Sequence, residues 1–105
     1  MTPQTMYVSP AAFQEESQVV AAKVEIYTKW GCGYCARAKA LLEAKGAQFD
    51  EYDITMGGPK KAEMLERVLN AGTVPQILIG GTAVGGCDEL FALDRAGKLD
   101  AMLAV

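Results

Sequence analysis

The chain has 105 residues, half of them apolar and 22% charged, with a formal charge of −3; that is room for one domain with one core, in the proportions of an ordinary globular protein. Without a basic patch or an arginine-rich run it lacks the electrostatic footprint of a nucleic-acid binder. No stretch approaches the roughly 18 apolar residues of a membrane span, and residues 1–22, which hold no Lys or Arg, do not read as a secretory signal.

Residues 1–22 form an extension ahead of a domain over 23–105. Ser9-Pro10 followed by Ala11 to Ala22 suits one capped helix, with Pro10 at its first position; a flexible arm is the equal alternative, and no chemistry is assigned to it. Val24 to Thr28 reads as a strand. Gly33 to Lys45 reads as a helix, with Tyr34, Ala38, Leu41 and Leu42 on one face and Gly46 as its stop. Between them lies Lys29-Trp30-Gly31-Cys32-Gly33-Tyr34-Cys35, so a Cys-x-x-Cys pair sits where a strand turns into a helix.

That address has chemical consequences. The first N–H groups of a helix lack intrahelical partners and, with the helix dipole, favour a thiolate at Cys32. From Ile26 to Leu42 there are three cations, Lys29, Arg37 and Lys39, and no acid. Cys32 is therefore the expected nucleophile and Cys35 the resolving thiol one turn away. Two buried structural cysteines or half of a zinc site are the plainer readings. The chain has no histidine and only one further cysteine, Cys87, so a closed four-ligand site is short of ligands within one chain, and no resident metal is expected. A Cys-x-x-Cys beside a βαβ pattern points to redox chemistry, and three cysteines without an export signal suit a reducing compartment, the cytoplasm.

Further along, Gln48 to Ile54 is a polar strand suited to a sheet edge. Gly57-Gly58-Pro59 breaks the chain before a helix from Lys60 to Ala71, with Met64, Leu65, Val68 and Leu69 as its expected buried stripe. Thr73-Val74-Pro75 leads into an inner strand, Gln76 to Ile79. Gly80-Gly81 marks a hairpin to Thr82-Ala83-Val84. Gly85-Gly86-Cys87-Asp88 opens a last helix, with Asp88 as its expected cap and Leu90, Phe91 and Leu93 facing inward; a final turn runs from Lys98 to Leu103. The order β-α-β-α-β-β-α makes an α/β fold, a four-stranded mixed sheet flanked by helices on both faces.

Four segments, Thr28-Lys29, Cys32-Gly33-Tyr34-Cys35, Thr73-Val74-Pro75 and Gly85-Gly86-Cys87-Asp88, resemble in order and spacing the glutaredoxins, a branch of the thioredoxin fold. The run Gly-Gly-Cys-Asp followed by an acid and Leu looks most like the small bacterial dithiol type. The resemblance covers the chain from about Val24 onward and implies a thioredoxin-like fold and a glutathione-dependent thiol–disulfide oxidoreductase acting on protein–glutathione mixed disulfides and protein disulfides. It implies a glutathione site as well. Lys29 would meet the glycine carboxylate, and Val74, before a cis Pro75, would pair its N–H and C=O with the cysteinyl residue. The helix start at Gly86, with the amides of Cys87 and Asp88, would take the γ-glutamyl carboxylate, and the Asp88 carboxylate its ammonium. Tyr34 and Thr73 complete the expected set.

There are departures from the pattern. Gly33 stands where many relatives have proline, and Asn70, Ala71 and Gly72 stand where many carry a basic clamp, a role left to Arg37 or Arg67. Trp30 is unusual before the pair, with packing or docking of partner proteins as its two readings. Some relatives without the proline hold a [2Fe–2S] cluster between two subunits through the first cysteine of each and two glutathiones. Cys32 as a cluster ligand is therefore the alternative function, and a dimer is expected only then; otherwise the expected state is a monomer. A flavoprotein-fed reductase and an inert adaptor are more remote rivals.

Overall fold

The computed structural model describes residues 21–104. Most of the expected N-terminal extension, residues 1–20, lies outside them. The elements run β1 (Val24–Thr28), α1 (Gly33–Ala44), β2 (Phe49–Asp53), α2 (Pro59–Arg67), β3 (Gln76–Ile79), β4 (Thr82–Gly85), α3 (Cys87–Arg95) and α4 (Leu99–Ala104). The four strands form one mixed sheet in the order β2-β1-β3-β4. β1 runs parallel to β2, with Val24 opposite Phe49, and antiparallel to β3, with Val24 opposite Ile79. The acid-rich β2 is at an edge, where its polar side chains reach water.

Strand periodicity divides the core. Val24, Ile26, Ile77 and Ile79 point to one face and bury against Ala38 and Leu42 of α1, Leu90 of α3 and Leu99 of α4. Tyr27 and Leu78 point to the other and bury with Ile54, Met64 of α2, Val68 and Ala71. Both central strands are therefore covered on both faces, which is why β1 and β3 are buried along their whole length. β3 and β4 meet through Gly80 and Gly81, both at positive φ (60° and 83°), the backbone of a two-residue hairpin whose twist matches its strands. α1 and α3 end alike. Gly46 N–H donates to Glu43 C=O at 2.9 Å and Ala47 N–H to Leu42 C=O at 3.0 Å; Gly97 N–H donates to Asp94 C=O at 3.0 Å and Lys98 N–H to Leu93 C=O at 2.9 Å. These are Schellman closures on a left-handed glycine. Lys45 then ties the two ends, pairing with Asp94 at 2.6 Å and Asp100 at 3.0 Å.

The structure corrects three expectations. Helix α2 stops at Arg67, and Val68 is already extended, so Leu65 (52% exposed) and Leu69 (88%) face outward. The reason lies in the sheet. β1 presents Glu25, only 5% exposed, and a carboxylate so placed needs a partner. α2 supplies it: Arg67 Nη1 and Nη2 donate to the two Glu25 oxygens at 3.0 and 2.7 Å, and the Tyr52 hydroxyl donates at 2.8 Å. Arg67 also donates to the Tyr27 hydroxyl at 2.9 Å, and Tyr27 in turn donates to Glu63. Of the expected stripe Met64 and Val68 are buried, and the half-buried Glu63 and Arg67 take the inward places expected of Leu65 and Leu69. The Arg67 guanidinium, with help from Tyr52, holds the Glu25 carboxyl down at about 2.

The second correction is Tyr34, which is 59% exposed. It sits in the first turn of α1, and the inner face of that helix is Cys35, Ala38 and Leu42. The third is the cap of α3, which is Gly86 rather than Asp88; Asp88 lies inside the first turn.

Candidate functional site

The redox pair is built by the β1–α1 turn. Gly31 takes a positive φ of 76°, and Cys32 follows as the residue capping α1, in extended conformation. From there its sulfur reaches the exposed amides of the first turn: the Cys35 N–H donates to Cys32 Sγ at 3.1 Å. The turn is pinned from outside as well. Trp30 N–H donates to Thr55 Oγ1 at 2.7 Å, and Thr55 is itself held by Asp53 through its N–H at 2.8 Å.

The two thiols differ sharply in environment. Cys32 is half-buried at the surface, whereas Cys35 is 2% exposed. Burial, reinforced by its hydrogen bond with Cys32, pushes the Cys35 thiol up to about 11. At neutral pH Cys35 is therefore a neutral thiol, shielded from solvent and one turn from its partner. Cys87 is also buried, and burial pushes its thiol up too.

Across from Cys32 runs the loop before β3. Its Val74–Pro75 peptide is cis, Gln76 Nε2 closes the turn by donating to Thr73 C=O at 2.8 Å, and Cys32 Sγ lies 4.0 Å from the Val74 carbonyl oxygen. Beyond it a groove of about 390 Å³ is lined by Tyr34, Thr73, Val74, Pro75, Gly86, Cys87, Asp88 and Glu89. Seven of these come from three distant segments singled out in the sequence, and the fold brings them together on one side of Cys32.

Lys29 does not line that groove. It lines a second groove of about 450 Å³, with Cys32, Cys35, Lys39, Glu51 and Asp53 among its neighbours. Lys39 is committed there to Glu51 at 3.0 Å, and Thr28 Oγ1 donates to the same carboxylate at 2.8 Å. Among the described residues Lys29 has no such ion-pair partner. Neither arginine offered as a substitute clamp stands free at the groove: Arg67 is held by Glu25, and the Arg37 guanidinium stacks 5.4 Å from the Phe91 ring centroid. Trp30 is 85% exposed, which removes the packing reading of that residue. Glu89 was missed in the sequence. The signal for it was an acid three residues after the helix cap, the spacing of a capping box.

An open sulfur next to a second thiol kept neutral and out of solvent is an arrangement for thiol–disulfide exchange, and on this sheet it defines a thioredoxin-like thiol oxidoreductase. The glutaredoxin family model matches residues 24–84. Glutaredoxin 3 of Escherichia coli K12 is 52% identical over 82 residues, covering 78% of this chain and 98% of that protein. The solution structure of a Brucella melitensis glutaredoxin superposes with a TM-score of 0.70 at 53% identity, over 81% of this chain and 91% of that one. A buckwheat glutaredoxin–glutathione complex gives 0.70 at 33% identity, over 82% and 81%. The chain belongs to the glutaredoxin family, whose members are thiol oxidoreductases.

No described helix is long and apolar enough to cross a membrane. Among the described residues no three His, Cys, Asp or Glu side chains converge to hold a metal.

Proposed function

We propose that the protein is a glutathione-dependent thiol–disulfide oxidoreductase that reduces protein–glutathione mixed disulfides. The observation that carries this reading is the groove of Tyr34, Thr73, Val74, Pro75, Gly86, Cys87 and Asp88, opening where Cys32 Sγ stands 4.0 Å from the Val74 carbonyl oxygen. A peptide laid along Val74 can pair with its N–H and C=O as an added strand, which brings its own sulfur to Cys32. The amides of Cys87 and Asp88, in the first turn of α3, are donors for a carboxylate at its far end, with the Asp88 carboxylate beside them for an ammonium. Glutathione has this layout, and the buckwheat relative was solved with glutathione. Lys29, which lines a groove together with Cys32, is the cation for the glycine carboxylate.

The reaction balances without an external redox group. The Cys32 sulfur attacks the glutathione sulfur of the mixed disulfide; a Cys32–glutathione bond forms, the bond to the protein sulfur breaks, and that sulfur leaves with the electron pair and is protonated. The thiolate of a second glutathione then attacks the glutathione sulfur on Cys32, giving glutathione disulfide and free Cys32. Cys35 is dispensable in this cycle because it is buried and neutral. It acts when the substrate is a protein disulfide, giving its proton to solvent or the departing thiolate as it displaces the protein thiol and closes a Cys32–Cys35 bond. A monomer suffices for every step, and a cytoplasmic glutathione pool supplies the electrons.

The alternative reading is a [2Fe–2S] cluster shared between two subunits and two glutathiones. Each chain would supply Cys32, the half-buried cysteine of the three, as its one cluster ligand, while Cys35 and Cys87 are buried, and no step is assigned through a cluster. The test is steady-state turnover of a glutathionylated peptide with glutathione as the sole reductant: Cys32→Ser abolishes it and Cys35→Ser keeps most of it. Equal loss in both variants refutes the assignment.

A further inference from the structure

We infer that Glu89 is a positioning residue for this groove, fixing the start of α3 against the cis-proline loop; the inference rests on the reading of the groove as a glutathione site. A helix begins with N–H groups that have no intrahelical acceptor, and the cap of α3 is a glycine with no side chain to accept one. Glu89 supplies the acceptor from inside the helix: the Gly86 N–H donates to Glu89 Oε1 at 2.8 Å, the third-residue half of a capping box. Its carboxylate is also favoured at the positive end of the helix.

The space around this bond leaves little freedom. A β-carbon on Gly86 would lie 3.2 Å from the Pro75 carbonyl oxygen and 3.3 Å from Glu89 Oε1. A β-carbon on Gly85 would lie 2.9 Å from Glu89 Cβ and 2.8 Å from its Cγ. Gly86 is therefore gripped between the loop that carries Val74–Pro75 and the Glu89 side chain, which also lines the groove. The Gly86 N–H is used within the protein, while those of Cys87 and Asp88 stay free for a bound carboxylate. Losing the Glu89 oxygen frees the Gly86 peptide to turn and carries the next two amides with it, so the effect falls on holding the ligand rather than on the sulfur.

The experiment compares Glu89→Ala and Glu89→Gln in the full chain, using a glutathionylated peptide as varied substrate and iodoacetamide alkylation of Cys32 as a probe that needs no groove. Glu89→Ala should raise KM for the peptide about tenfold, equivalent to about 1.4 kcal/mol, within the range for a lost cap. Both kcat and the alkylation rate should stay within about twofold of the parent. Glu89→Gln keeps an oxygen that accepts the same N–H and should return KM to within about threefold. A KM in Glu89→Ala within twofold of the parent overturns the proposal. So does a Gln variant as impaired as Ala, which would make the charge the operative feature, and so does a joint fall in kcat and alkylation. If the parent protein shows no saturation with the glutathionylated peptide, the glutathione reading itself has failed, and this role falls with it.

Discussion

Replacing Arg67 with methionine removes the cation that faces Glu25 while keeping most of the side chain's apolar bulk. Glu25 is 5% exposed, and its carboxyl is lowered from 4.5 to about 2, first by the Arg67 hydrogen bonds. A shift of that size contributes about 3 kcal/mol at neutral pH. Removing one partner of a buried pair also leaves an uncompensated charge, so the expected loss is about 3–5 kcal/mol, a large share of the roughly 5–15 kcal/mol that holds a domain together. The sign with pH follows from the depressed value. In the parent protein this stabilisation is complete above the unfolded carboxyl's range and is lost as pH falls from 4.5 toward 2. In Arg67→Met burial dominates at Glu25, so acidification protonates it and that contribution reverses. Urea unfolding followed by far-ultraviolet circular dichroism at pH 7, 5, 4 and 3 reads both effects. A loss below about 1 kcal/mol at pH 7, the level of an exposed pair, or an unchanged slope between pH 5 and 3, would refute the reasoning.

Alkylation should separate the two active-site thiols. With iodoacetamide at pH 7 to 8 mass spectrometry should find the label on Cys32 alone. Cys35 should remain unlabelled in the native protein until the pH nears its value of about 11, and labelling of both at pH 7 would contradict its burial. Gly86→Ala places a methyl group 3.2 Å from the Pro75 carbonyl oxygen and 3.3 Å from Glu89 Oε1. Turnover should fall mainly through KM for the glutathionylated peptide, and kinetics matching the parent would show that the groove is not tightly built there.

Much of this architecture is legible in the residues. Val24 to Thr28 has a strand's composition, Gly46 and Gly97 stop helices because their conformation favours glycine, and Gly80-Gly81 is a hairpin in any context. The cysteine pair at the head of a helix follows from the order of elements alone. What stayed hidden depends on contacts between distant segments. Apolar periodicity assigns Leu65 and Leu69 to the core because it cannot see that Glu25 on β1 requires Arg67 from α2. Tyr34 fits the helical repeat but falls on the first turn, where the groove opens. Glu89 matters because the cap before it is glycine, and the sequence reading gave that cap to Asp88.

The central claim is that Cys32 takes the glutathione half of a mixed disulfide, with the groove selecting that half. The direct measurement is intact and peptide mass spectrometry of the Cys35→Ser variant after a single turnover with a glutathionylated peptide and no free glutathione. The account predicts one glutathionyl group on Cys32 and release of the peptide as a free thiol. Attachment of the peptide to Cys32, or a glutathionyl group on Cys87 instead, would contradict it.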